Sequence, residues 1–205
     1  MSFGGYSPNQ LWSPGGSTAE LLSNRDDPTS YVHGYFAAAI HLAGELVTNS
    51  VPVDTVAYPM LYVFRHALEL GFKALLRGYS FQLKHDKPLG KKGHSLAQLW
   101  KDLRPLLDSD DFSASLDPMR PSAAVTLDDI DTLVRCLDAV DPNGEAARYD
   151  TTLSGEFTMA QVERINLQAL LQICQLSEDW LMSHLNARNE IVSYVRVQRW
   201  ERGED

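Results

Sequence analysis

The sequence has little of what many function classes require. It holds only two cysteines, Cys136 and Cys174, so a disulfide-dense scaffold and a thiolate zinc cage with paired-cysteine spacing are both excluded. No run approaches about eighteen uninterrupted apolar residues, which excludes a membrane-spanning helix. Basic residues are outnumbered, 18 Lys and Arg against 27 Asp and Glu, giving a net charge of −9. That balance argues against broad binding of DNA or RNA through phosphates, while leaving room for a local basic pocket. There is no His–Glu–His metal spacing, no glycine-rich phosphate loop with a lysine, and no Gly-x-Ser-x-Gly elbow. No metal and no cofactor are expected. The opening MSFGGYSPNQLW has no basic segment followed by an apolar one, so it is not read as a secretory signal, and a cytoplasmic location is expected. Both cysteines fall in helical apolar patterns and are expected as buried thiols in preference to a disulfide.

What is present suits one helical domain. A length of 205 residues with 44% apolar side chains suffices for one sizeable core. Residues 1–28 are rich in Gly, Ser, Pro and Asn and read as an irregular N-terminal arm. Pro28-Thr29-Ser30 offers helix-start chemistry. A helix over Tyr31–Val47 follows, with Tyr35, Ala38, Ala39, Leu42 and Leu46 on one face. The strongest periodicity spans about Asp54–Arg77, where Leu61, Phe64, Leu68, Phe72 and Leu75 form an apolar stripe. Gly78 is expected to end that helix, and Gly71 inside it to mark a tight helix crossing.

A polar loop follows, with Lys84, Lys87, Lys91 and Lys92 around Asp86. Ser95 then caps a third helix that turns Leu96, Leu99, Trp100, Leu103 and Leu107 inward, with Pro105 expected to kink or end it. Thr126 with Asp128 and Asp129 starts a fourth helix, which stops at Asp141-Pro142-Asn143-Gly144. Arg148–Met159 is the one credible strand pair, turning at Ser154-Gly155. A long fifth helix is expected from about Ala160 to the mid-190s, burying Leu167, Leu170, Leu171, Cys174, Leu181 and Leu185. The expected fold is therefore all-α: a five-helix up-down bundle over residues 29–197, one small hairpin before the last helix, and a polar tail over 198–205.

Four phrases stand in order along the chain: YFAAAIHLAGEL, RHALELGFKALL, GHSLAQLW and ARYD. Over roughly residues 31–190 this order resembles the HEPN superfamily of small helical bundles. The resemblance implies a HEPN-like bundle that dimerises and places its groove at the dimer interface. It also implies a setting in toxin–antitoxin, defence or RNA-processing systems. Many members are metal-independent ribonucleases; others bind nucleotides or act as partners of nucleotidyltransferases. In the nuclease branch an arginine precedes a histidine by a few residues on one helix face. The histidine moves the proton of a ribose hydroxyl and the arginine stabilises phosphate charge. None of the six histidines here has such an arginine. The nearest counterpart begins at Arg188-Asn189, and Ser193 stands where the histidine would be. A serine without an activating base is no proton shuttle near neutral pH.

The remaining candidates lie elsewhere. Arg65, Glu69 and Lys73 recur at four-residue steps beside His66, and Tyr62, His66, Glu69 and Lys73 share a face. They read either as a polar groove for phosphate or nucleotide or as a solvated ladder of ion pairs, each contributing about 0.3–0.5 kcal/mol. His94 precedes a helix start, suiting a cap or an anion site, with Lys91 and Lys92 close in sequence. Arg148 and Tyr149 occupy the Arg-Tyr phrase, and Arg188 lies near a helix C-terminus. Two function classes stay open. One is a non-catalytic or atypical HEPN-like module, self-associating as a homodimer and engaging a partner protein, nucleotide or RNA. The other is a ribonuclease with a rearranged site, using His66 or His94 for proton transfer and Arg65 or Arg148 for phosphate. A purely structural oligomer is a third possibility.

Overall fold

The structure, a computed structural model, describes residues 28–82, 93–109, 125–149, 151, 155, 158–159 and 162–203. Among them are five helices: α1 (Thr29–Val47), α2 (Val53–Gln82), α3 (Leu96–Leu107), α4 (Leu127–Val140) and α5 (Leu167–Arg202). None is long and apolar enough to cross a membrane. The N-terminal arm up to residue 27 and the Lys91–Lys92 pair lie outside the described residues.

Local chemistry sets most boundaries. Ser95 caps α3 by accepting from Gln98 N, and Asn166 caps α5 by accepting from Ala169 N. Thr126 and Asp129 form a reciprocal capping box at the start of α4. No side chain caps α1; the Pro28 carbonyl accepts from Tyr31 N and Val32 N instead. Pro105 cannot donate within α3, and the helix stops two residues later, at Leu107.

α2 is the central element, packed against α1, α3 and α5, while α3 also carries α4. Phe64, Leu68, Phe72 and Leu75 from α2 are fully buried with Phe36 of α1 and Leu103 of α3. All five inward positions expected of α3 are buried. On α1 the buried face is Val32, Phe36, Ala39, Ala43 and Leu46, rotated from the expected one, and Ala38 faces solvent.

Gly78 does not end α2, which continues to Gln82. A Cβ at Gly78 would come within 2.0 Å of Arg188 Cδ, and one at Gly71 within 2.0 Å of Leu181 Cδ2. Both glycines are therefore crossing points where α5 lies directly on the α2 backbone. The crossing expected at Gly71 is present, and Gly78 repeats it two turns on. Because Gly71 meets Leu181 and Gly78 meets Arg188, α2 and α5 run parallel, whereas strict up-down alternation would oppose them. The alternation breaks before α3. His94 already lies back beside Glu69, and α3 then follows α2 in the same sense to bring Trp100 onto Phe72.

α5 starts at Leu167, later than its periodicity suggested, and runs to Arg202 through most of the segment read as a tail, with Gly203 as its left-handed C-cap. Its deepest side chains include Cys174, Trp180, Leu181 and Leu185, whereas Leu167, Leu170 and Leu171 are only partly buried. Among the described residues of 148–159 no strand forms; Arg148 lies in a turn, Thr151 makes an isolated bridge, and 150, 152–154 and 156–157 of the expected hairpin fall outside the described residues. Both cysteines are free thiols. Cys174 is buried, and burial pushes its thiol pKa up to about 12, while Cys136 is exposed on α4, contrary to its expected burial.

Candidate functional site

The four-residue ladder on α2 points inward. The side chains of Arg65 and Glu69 are each 4% exposed. Arg65 donates through Nη1 to Glu69 Oε2 at 3.2 Å, through Nη2 to the His94 carbonyl at 2.5 Å, and through Nε to the Asp141 carbonyl at 3.2 Å. Glu69 Oε1 accepts from Lys73 Nζ at 2.6 Å and pairs with His94 Nδ1 at 2.8 Å. Burial alone would raise the Glu69 pKa, but the hydrogen bonds and charges of Lys73 and His94 outweigh it and hold the carboxyl below its usual value. The group is a buried anion held by three cationic or hydrogen-bonding side chains.

Asp141 extends this network into the loop after α4. Its Oδ1 accepts from Glu145 N at 2.8 Å and Ala146 N at 3.0 Å, and its Oδ2 lies 3.6 Å from Arg65 Nε. Gly144, at φ +76°, passes so close over the guanidinium that a Cβ there would sit 2.4 Å from Arg65 Nη1. The loop from Asp141 to Tyr149 is thereby strapped across Arg65. Neither expectation for the ladder describes this arrangement. It is not solvated, and Arg65 has no face open to a phosphate, because its donors are committed to groups at the entrance of α3 and the end of α4.

The strapped loop carries Arg148 and Tyr149 against the outer face of α2. The Arg148 guanidinium lies 5.6 Å from the centroid of the Tyr62 ring and 5.4 Å from that of Tyr149. Tyr62 also stacks on His66, with centroids 5.7 Å apart and planes 11° from parallel, and Tyr35 of α1 meets His66 edge-on at 4.7 Å. Burial lowers the His66 pKa, the charges of Lys73, Arg148 and Arg65 lower it further, and Glu69 opposes them. The balance favours the uncharged imidazole, which meets its neighbours as an aromatic surface.

Side chains of α2, the entrance of α3 and the Arg-Tyr phrase thus converge as two adjoining layers. Arg65, Glu69, Lys73 and His94 form the inner clasp, and His66, Tyr62, Arg148 and Tyr149 the outer stack. Arg188 belongs to neither. It is buried beneath Gly78, donates to the Ala74 carbonyl at 3.4 Å and bonds Asn189. Asp141 and Gly144 were readable in sequence only as a helix stop, since nothing local announces that this turn covers an arginine on α2.

Beside Arg65 and Asp141 is an apolar notch of about 110 Å³ lined by Leu61, Leu137, Val140, Met159, Val162 and Ile165. It is well below the roughly 300 Å³ of ordinary small-molecule sites and would not enclose a nucleotide. Among the described residues no cluster of three His, Cys, Asp or Glu side chains could hold a metal ion. No family model, curated protein or solved structure matches this chain.

Proposed function

We propose that the chain is a HEPN-like module that acts by association rather than by the ribonuclease chemistry of that superfamily. It would self-associate and engage a partner, such as a nucleotidyltransferase, or a nucleotide or RNA in a defence or toxin–antitoxin setting. The observation that carries this reading is the distal half of α5. Its arginine of the expected pair, Arg188, is turned inward and 9% exposed, while Ser193 faces outward where the histidine would stand. Beyond it Tyr194, Val197 and Trp200 are 66%, 52% and 74% exposed. Large apolar side chains grouped on one helix and left in water mark an interaction surface.

Two measurements test the reading. Light scattering on the purified chain should give a dimer or larger species that Tyr194→Ser with Trp200→Ser converts to monomer. A monomer from the wild type at tens of micromolar would remove the self-association. Ser193→His should not confer RNA cleavage, because the arginine it would work with is committed to the Ala74 carbonyl. Appearance of metal-independent cleavage in that variant would refute the non-catalytic reading.

One observation favours a second reading, a ribonuclease with a rearranged site. His94 is held by the buried Glu69 carboxylate through Nδ1, and its side chain is 65% exposed. With Nδ1 carrying the proton, Nε2 is left as a base. Phosphate binding would then fall to Arg148, since Arg65 is enclosed. Cleavage by the wild type, abolished in His94→Ala or His66→Ala with helicity unchanged, would favour this reading.

A further inference from the structure

The outer stack has more structure than a packing role needs. His66, Tyr62, the Arg148 guanidinium and Tyr149 are flat π-bearing groups in series, and the series runs from a half-buried ring to an exposed one. Tyr149 is 57% exposed, and Tyr58, one turn before Tyr62 on the same face of α2, is 45% exposed. We infer that this ladder is a stacking platform for the base of a nucleotide, free or within a single strand. This deepens the nucleotide half of the function proposed above and rests on it.

Three features select that ligand. First, the backbone that carries the exposed ring is braced. Arg148 N and Tyr149 N both donate to the Glu145 carbonyl, at 3.0 and 3.2 Å, and the Thr158 hydroxyl donates to the Tyr149 carbonyl. The whole loop is tied to α2 through Asp141 and Arg65. A ring on a tied backbone, with Arg148 against it, loses less freedom when a base stacks on it than one on a free loop would. Second, a cation occupies the ladder. A guanidinium against two tyrosine rings repels a cationic ligand, such as a quaternary ammonium, and attracts the phosphate beside a base. Third, the charge is local. The chain carries −9 overall, and exposed Glu145 sits on the same turn, so few phosphates are engaged and recognition falls mainly on the base. Stacking suits that demand because every base has a π-face.

The test uses the full chain and a fluorescein-labelled oligoadenylate of about twelve nucleotides, within the usual single-strand site size. Anisotropy is read in competition with AMP, with ribose 5-phosphate and with an RNA duplex. The platform predicts binding to the single strand, weaker binding to the duplex, and no competition by ribose 5-phosphate. Competition by AMP identifies a single-base site for a free nucleotide, and its absence a strand site; both fit the platform. Tyr149→Ala and Arg148→Gln should each weaken binding about tenfold, and Tyr149→Phe should stay within about twofold of wild type. Both positions are exposed, and circular dichroism checks that the fold persists. Strand binding unaffected by both Tyr149→Ala and Arg148→Gln would overturn the platform while leaving a nucleotide-binding module whose site lies elsewhere. Displacement of the strand by ribose 5-phosphate as effectively as by AMP would overturn it as well. No binding of oligoadenylate or AMP at millimolar concentration would remove the platform and the nucleotide half of the proposed function together, leaving self-association to its own test.

Discussion

Replacing Arg65 by methionine isolates the inner clasp. The substitution keeps an unbranched, helix-compatible side chain and deletes the guanidinium. Glu69 loses one partner and keeps Lys73 and His94. Asp141 keeps its two backbone donors but loses its only nearby cation among the described residues. The carbonyls of His94 and Asp141 lose their guanidinium donors. Removing one partner of a buried ion pair typically destabilises by about 3–5 kcal/mol, and the remaining bonds to Glu69 place the effect near the lower end, about 3 kcal/mol. For a chain of this size that corresponds to a fall in Tm of about 6–12 °C. Urea denaturation followed by circular dichroism gives the free energy, and calorimetry the midpoint. The Arg104–Asp128 pair, whose aspartate side chain is 85% exposed, is the control, and Arg104→Met should leave the midpoint unmoved. A loss below about 1 kcal/mol for Arg65→Met would show that water reaches the clasp and that it behaves as an ordinary surface ladder.

Further perturbations, of pH and of two glycines, follow from the same structure. The pKa of Glu69 is held below the ordinary 4.5 of a free glutamate, so its contribution is complete above that pH and declines as pH falls toward the lowered folded value. His184 is lowered from 6.5 by burial, against the opposing bond to the Trp180 carbonyl, so the unfolded chain takes up its proton first and stability should fall as pH drops below about 6.5. Titrating the urea midpoint between pH 7.5 and 5 should show that decline, with a shallower slope in His184→Phe; an unchanged slope would refute the assignment. Gly71→Ala should destabilise by roughly 1–2 kcal/mol, the overpacking against Leu181 exceeding the gain in helix propensity. Gly144→Ala should destabilise by about 2 kcal/mol or more, because a positive φ and contact with Arg65 oppose it together. A neutral or stabilising result at either glycine, read by thermal melts, would mean the local backbone gives way.

The helices were legible because their signals are local. Ser95 and Thr126 cap where cap chemistry predicts, and the α3 stripe is buried position for position. Gly78 misleads for a physical reason: a glycine at the end of a periodic stretch signals a stop, but the same missing side chain admits a crossing helix, and only the partner decides which. The α2 ladder is ambiguous for a related reason. Four-residue spacing places Arg65, Glu69 and Lys73 in a row, yet whether the row meets water depends on the Asp141–Tyr149 turn, which arrives from far along the chain. The Arg-Tyr phrase did point to that turn, and Tyr62 and His66 to the face it meets, but their stacking needed three dimensions. Arg188 looked like half of a functional pair, and its burial follows from Gly78 opening a place for it.

The parallel run of α2 and α5 has a consequence for how the bundle can be joined to other molecules. Thr29, at the start of α1, is hydrogen-bonded to Asn189, and α5 continues about 20 Å past that contact to Gly203. Chain entering at Pro28 and chain leaving at Gly203 therefore share one pole, and the opposite pole is formed by interior turns such as that at Asn49, whose φ of 55° reverses α1 into α2. A domain joined directly at Pro28 or at Gly203 would hang from the same pole, near Tyr194 and Trp200, and away from the Arg148–Tyr149 turn.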